Sequence, residues 1–252
     1  MSCVTVRGCR IGEGRPKVIL PIVERTEAAV LERATAFSTL RADCVEWRVD
    51  LFETPDDLRA VVHCLAKLRI ALKDKLLLVT LRTKEEGGNA PVSHEKYLHF
   101  IHTLLDTDCA DLIDIEFFTA GADLPELIQD AHTAGVKVVC SSHDFHKTPP
   151  KAELVNRMAA MQQAGADLPK LAVMPQSRTD VLELLAATAE MADLHPETPV
   201  ITMSMGALGA VSRLCGEAFG SAMTFANPGT ASAPGQVGLD VVNAVLDSLR
   251  LN

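Results

Sequence analysis

Eight times along this chain, a short and nearly continuous apolar run of β-forming residues is followed by an amphipathic helical stretch. The runs are Lys17 to Val23, Cys44 to Val49, Leu76 to Leu81, Leu112 to Glu116, Val136 to Ser141, Lys170 to Met174, Val200 to Met203 and Ala222 to Phe225. Strands apolar on both faces belong in a parallel sheet covered by helices. Eight βα units in 252 residues fit a (β/α)8 TIM barrel spanning 1–252 as one domain, although an open doubly wound sheet alternates in the same way. No GxGxxG follows the first run, which argues against a dinucleotide-binding sheet. Helix starts are expected at Thr54 before Pro55, at Ser93, at Asp123 and at Thr148 before Pro149, and helix ends at Gly135 and Gly165. Ahead of the barrel, VTVRGCRIG alternates about Arg7-Gly8 and reads as a short N-terminal β-hairpin covering one end. Beyond the recurrence itself no self-similar motif stands out.

Composition narrows the function. With 48% apolar residues the chain can bury a large core, and 24 basic against 33 acidic side chains give a net charge of −9, which disfavours nucleic acid as a partner. Seven cysteines without CxxC spacing read as reduced thiols, and neither a signal segment nor an apolar stretch long enough to span a membrane is visible, so a cytoplasmic protein is expected.

The anomaly lies in charges where apolar residues belong. In VEWRVD, Glu46, Arg48 and Asp50 share one parity; Arg82 ends LLLVTLR, Asp114 and Glu116 share a parity in DLIDIE, His143 follows VKVVCSS, and Lys170 opens KLAVM. Unpaired buried charge is costly, so these groups are expected to meet one another or a ligand at the barrel mouth. Duller readings stand beside this one. Glu46 and Arg48 also read as a structural ion-pair lattice, Asp114 and Glu116 as structural carboxylates, Lys170 as a strand-end lysine reaching solvent, and His143 as a satisfied core histidine. His94, His99 and His102 read as a solvated helix face, Gly87-Gly88 as a flexible turn, and Met203 and Met205 as core filler. His143 and His146 lack a third metal ligand, so no metal is expected.

A desolvated lysine amine attacks ketones, the resulting iminium stabilises charge on the adjacent carbon, and a histidine can remove the proton there. Arg48, Arg82 and Arg213 offer bidentate partners to a carboxylate or hydroxyls, which implies a small anionic carbonyl substrate. One tension is that Lys170 begins its run, whereas barrel chemistry sits at strand C-termini.

Taken in order, VEWRVDLF, TLRTKEEGG, DLIDIE, SSHDFHKTP, GADLPKLAVMP, ITMSMGALGAVSR, GSAMTFA and ASAPGQ make the chain resemble the type I 3-dehydroquinate dehydratases from Val4 nearly to its C-terminus. The resemblance implies a homodimeric shikimate-pathway enzyme of aromatic amino acid biosynthesis, needing no cofactor or metal, that converts 3-dehydroquinate to 3-dehydroshikimate. It assigns Lys170 to the Schiff base, His143 to general acid and base, and Glu86 to orienting that histidine. Arg213 would clamp the carboxylate; Glu46, Arg48, Arg82, Ser232 and Gln236 would bind hydroxyls and carboxylate; Met203, Met205 and Phe225 would form apolar walls. The stretch Ala226 to Gln236 is expected to close over substrate. Alternatives are another Schiff-base barrel enzyme such as an aldolase, a non-catalytic carboxylate-binding barrel, and a metal-dependent hydrolase.

Overall fold

The computed structural model describes residues 2–227, 229 and 234–251, so Ser232 and much of the stretch 226–236 lie outside the described residues. Strands β1 (Val4–Val6) and β2 (Cys9–Ile11) form an antiparallel hairpin. Then follow β3 (Lys17–Ile22), β4 (Cys44–Arg48), β5 (Leu76–Thr80), β6 (Leu112–Glu116), β7 (Lys137–Asp144), β8 (Leu168–Val173), β9 (Ile201–Ser204), β10 (Met223–Asn227) and the two-residue β11 (Val237–Gly238). β3 to β9 pair in chain order and in parallel, and β10 pairs with β3. The circle closes between β9 and β10 at the Val200–Ser221 bridge, where the Ala222 N–H donates to the Val200 carbonyl at 2.8 Å. The expected barrel is therefore present, with helices between successive strands.

Its core has two parts, as alternation along the strands demands. Outward residues such as Val45, Trp47, Leu77, Val79, Ile113, Ile115, Val138 and Leu171 pack beneath the helices. Inward residues change character with height. The lowest ring, with Ile19, Cys44, Leu76, Leu112, Leu168, Ile201 and Met223, is apolar and is plugged by Ile11 of the hairpin. Two residues further along several strands the inward side chain becomes polar: Cys44 gives way to Glu46, Leu112 to Asp114, Val139 to Ser141 and Leu168 to Lys170. The hairpin thus seals the N-terminal end, and the polar groups sit toward the other.

Several boundaries differ from the sequence reading. β8 begins at Leu168, so Lys170 is its third residue and not its first. Pro169 disguised the start, yet it lies where β8 has pairing partners only in β7, as an edge residue would. β7 runs on through Ser142, His143 and Asp144, held by pairing with Leu171, Ala172 and Val173 despite their polarity. β4 stops at Arg48 and a 3-10 turn covers Val49–Leu51, so Asp50 does not share the strand's charged face.

Helix starts are corrected too. Leu58–Leu72 is capped by Asp57, whose side chain accepts from the Arg59 and Ala60 N–H groups, and not by Thr54. Ser93 caps His94–Leu105 as expected. Asp123 precedes Leu124–Thr133 but does not cap it, bonding instead to His94 Nε2 at 2.7 Å. Thr148 does not cap Lys151–Gln163, which starts after Pro150.

One short self-similarity becomes visible only in the fold. Asp43, Asp111 and Asp167 each follow an alanine, precede β4, β6 or β8, and accept from a backbone N–H in the preceding strand: Val18 at 2.8 Å, Leu77 at 2.8 Å and Val138 at 2.9 Å. Ser221, ahead of β10, does the same for Thr202 of β9 at 3.0 Å.

Candidate active site

A cavity of about 260 Å³ opens at the C-terminal end of the strands. It is lined by Glu46, Arg48, Arg82, Glu86, His143, Lys170, Met203, Met205, Arg213, Phe225 and Gln236, which gathers every expected site residue except Ser232, outside the described residues. Phe145, Ala172, Gly87 and Pro234 complete the lining. Phe145 was missed in the sequence because an exposed-looking aromatic after a strand carries no parity signal; its ring lies nearly parallel to that of His143 at 6.5 Å.

Lys170 is 3% exposed, pointing from the inner face of β8 and not to solvent. Its Nζ donates to Asp114 Oδ2 at 3.0 Å and sits 5.0 Å from the centre of the Phe225 ring. His143 is held by Glu86, whose Oε2 lies 2.8 Å from Nδ1 and accepts the His143 backbone N–H at 3.0 Å. Glu86 thus fixes the imidazole through Nδ1 and leaves Nε2 for proton transfer. Burial, reinforced by the Arg82 and Lys170 cations, holds the imidazole well below its ordinary range and so keeps it neutral. Burial pushes Glu86 up to about 8, with Arg82 opposing and the Glu116 and Asp114 carboxylates adding to the rise.

The glycines after Glu86 form a packed turn and not a merely flexible one. The Gly88 N–H donates to the Thr83 carbonyl at 2.7 Å, a Cβ there would overlap the Arg82 carbonyl, and Gly87 (φ +81°) presses on the Phe145 ring. Only glycine lets Glu86 turn back toward His143 within so few residues.

The arginines differ from one another. Arg48 is bidentate to Asp50, at 2.7 and 2.8 Å, so the Glu46–Arg48 lattice is not what forms; Glu46 accepts instead from Thr80. Arg82 binds Asp114 through Nη2 and Glu116 and Ser141 through Nη1, and although burial opposes its charge, the Asp114, Glu116 and Glu86 carboxylates hold its pKa up. Arg213, 1% exposed, has among the described residues the Pro234 carbonyl and the Met203 sulfur against its terminal nitrogens, and burial lowers it to about 10. Its Nε is buried with no hydrogen-bond partner among the described residues. A guanidinium without a carboxylate partner among the described residues, facing a cavity, is a site prepared for an anion.

A closed parallel barrel with an amine, an imidazole and arginines at its mouth defines an α/β-barrel enzyme for a small anionic substrate. Comparison with known proteins narrows this further. The type I 3-dehydroquinase family model matches residues 18–252, and the chain belongs to that family. The 3-dehydroquinate dehydratases of Bacillus subtilis and Listeria welshimeri are 46% and 47% identical to it over 252 and 250 residues, in each case across 99% of the relative. Among solved structures, the type I 3-dehydroquinate dehydratase of Clostridium difficile with covalently modified comenic acid superposes with a TM-score of 0.95 at 44% identity, covering 98% of both chains. The carboxyl transferase domain of Rhizobium etli pyruvate carboxylase, 13% identical with a TM-score of 0.67 over 92% of this chain, shares the fold alone.

Proposed function

We propose that this hydro-lyase dehydrates 3-dehydroquinate through an imine on Lys170. The observation that carries the reading is the convergence on one small cavity of a buried amine, a buried neutral imidazole and the guanidinium of Arg213, which has no carboxylate partner among the described residues. Arg213 binds the substrate carboxylate and thereby sets the ring ketone near Lys170. The amine adds to the carbonyl, water leaves, and the iminium draws the electron pair as His143 removes the adjacent ring proton. The enamine then expels the neighbouring hydroxyl, which His143 protonates, and hydrolysis frees Lys170 and a conjugated enone. Glu86 orients the imidazole throughout. Glu46, Arg48, Arg82, Gln236 and Ser232 contact hydroxyls and carboxylate, while Met203, Met205 and Phe225 form the apolar sides. The stretch 226–236 covers the bound substrate; Gly235, packed on the Gly206 backbone, and Pro234, accepting from Arg213, anchor its end.

All lining residues come from one barrel, which supports reading 1–252 as a single domain. A homodimer is part of the same proposal, supported by the family and by exposed Leu182, Leu208 and Val211. No helix among the described residues is long and apolar enough to cross a membrane, and seven unpaired cysteines support a reducing, cytoplasmic setting.

The test is direct. Conjugated-enone absorbance should develop from 3-dehydroquinate, and borohydride reduction with substrate present should label Lys170 on peptide mapping. Lys170→Ala should fold yet lose turnover, and His143→Ala should lose about 10²–10⁴-fold in kcat while covalent adduct accumulates. Cleavage of a carbon–carbon bond without enone formation would support the aldolase reading, and label on another residue would overturn the assignment to Lys170.

A further inference from the structure

Beneath the cavity, Asp114 and Glu116 are fully buried carboxylates outside the set of residues that lines it. Their hydrogen bonds divide the local charges. Glu116 Oε1 accepts from Arg82 Nη1 at 2.8 Å and from the Thr83 N–H at 2.9 Å, and its Oε2 accepts from the Thr83 and Thr119 hydroxyls. Glu116 therefore answers the charge of Arg82 and is saturated. Asp114 Oδ1 accepts from the Ser141 hydroxyl at 2.6 Å; its Oδ2 accepts from Arg82 Nη2 at 2.8 Å and Lys170 Nζ at 3.0 Å. Around Lys170 the cavity also presents Glu46, Arg48, Arg82, Glu86, His143 and Arg213. Of these and Asp114, only Asp114 is within hydrogen-bond distance of Nζ.

We infer that Asp114 is the fixed counter-ion of the Lys170 nitrogen throughout turnover, pairing first with the ammonium and then with the iminium, so that the imine stays protonated and able to accept electrons. The inference rests on the imine reading above. During the cycle that nitrogen alternates between cationic forms, ammonium and iminium, and neutral ones, amine and enamine. The ammonium passes one proton to His143 and the resulting amine adds to the carbonyl; that proton and one more from nitrogen leave with the carbonyl oxygen as water, so the C=N bond retains one proton on nitrogen. When the ring C–H is broken, its electron pair neutralises that nitrogen, and the pair returns when the hydroxyl departs. A carboxylate locked by Ser141 and Arg82 stabilises both cationic iminium states without having to move, as preorganised charge does. The Arg82 and Lys170 cations outweigh burial and hold Asp114 well below the usual carboxylate range, so it remains an anion and does not serve as the base.

The experiment compares wild type with Asp114→Asn, which keeps the shape and a hydrogen-bonding oxygen while removing the charge. The expected result is a fall in kcat of about 100-fold with a much smaller change in KM. The alkaline limb of the kcat profile should move down by about one pH unit or more, because the imine loses its proton more readily. Ser141→Ala, which removes a donor but no charge, should leave the limb in place. A wild-type limb in Asp114→Asn would overturn the inference, since a merely structural role would lower stability without moving it. Should that variant fail to fold, the adduct that accumulates in His143→Ala decides: with lysine labelled by ¹⁵N at Nζ, NMR should report a protonated imine up to pH 9, and a neutral imine at pH 7 would overturn the inference. Absence of any borohydride-trapped adduct in wild type is a separate outcome, which defeats the imine reading itself.

Discussion

Glu86 shows what burial does to a single side chain in this site. Held up to about 8 against an ordinary value of 4.5, it keeps a proton in the folded protein that the unfolded chain releases, over the whole interval between those values. Its contribution to stability is therefore present at the acid end and is lost as pH rises through 8. Glu86→Gln removes this titration, so its melting temperature relative to wild type should climb as the buffer is taken from pH 5 to pH 8; a constant difference would contradict the shifted carboxyl. At this scale much was legible beforehand, because parity and a misplaced charge single out Glu46, Arg48, Arg82, His143 and Lys170. Partners were not legible. Asp114 and Glu116 look alike in DLIDIE, and only the third dimension sets Asp114 between Lys170 and Arg82 while Glu116 pairs with Arg82.

Elements of structure obey local rules more closely where a cap is made than where a cap residue merely occurs. Thr54 precedes a proline and has the right chemistry, yet the chain turns once more and Asp57 receives the first helical N–H groups of Leu58–Leu72. Asp57→Ala should lower stability by about 1 kcal/mol in a urea titration, and Thr54→Ala by only a few tenths. Equal effects would mean that the side-chain cap contributes nothing. Strand ends were the least legible feature. Apolar runs mark where a strand is buried on both faces, but β7 carries polar residues to its end and β8 starts through a proline, since ladder pairing with a neighbour outweighs both signals. For the same reason the apparent position of Lys170 at a strand start was misleading, and its place two residues in puts it level with the polar ring.

At the scale of the whole molecule, the eightfold recurrence was sufficient to indicate a barrel, but closure was not written in any one segment; it depends on β10 pairing with β3 from the other end of the chain and on the Val200–Ser221 bridge that joins β9 to β10. The aspartates ahead of β4, β6 and β8, with Ser221 ahead of β10, knit the strands into couples: β3 with β4, β5 with β6, β7 with β8 and β9 with β10. Circular permutation makes the consequence measurable. Relocating the chain ends to the exposed Lys73-Asp74 loop parts two couples and spares every stitch, whereas relocating them to the loop at 106–108 opens the couple that Asp111 fastens. The first permutant should melt at a higher temperature than the second, and the reverse order would show that the barrel is sewn as a continuous hoop with no seams between its quarters.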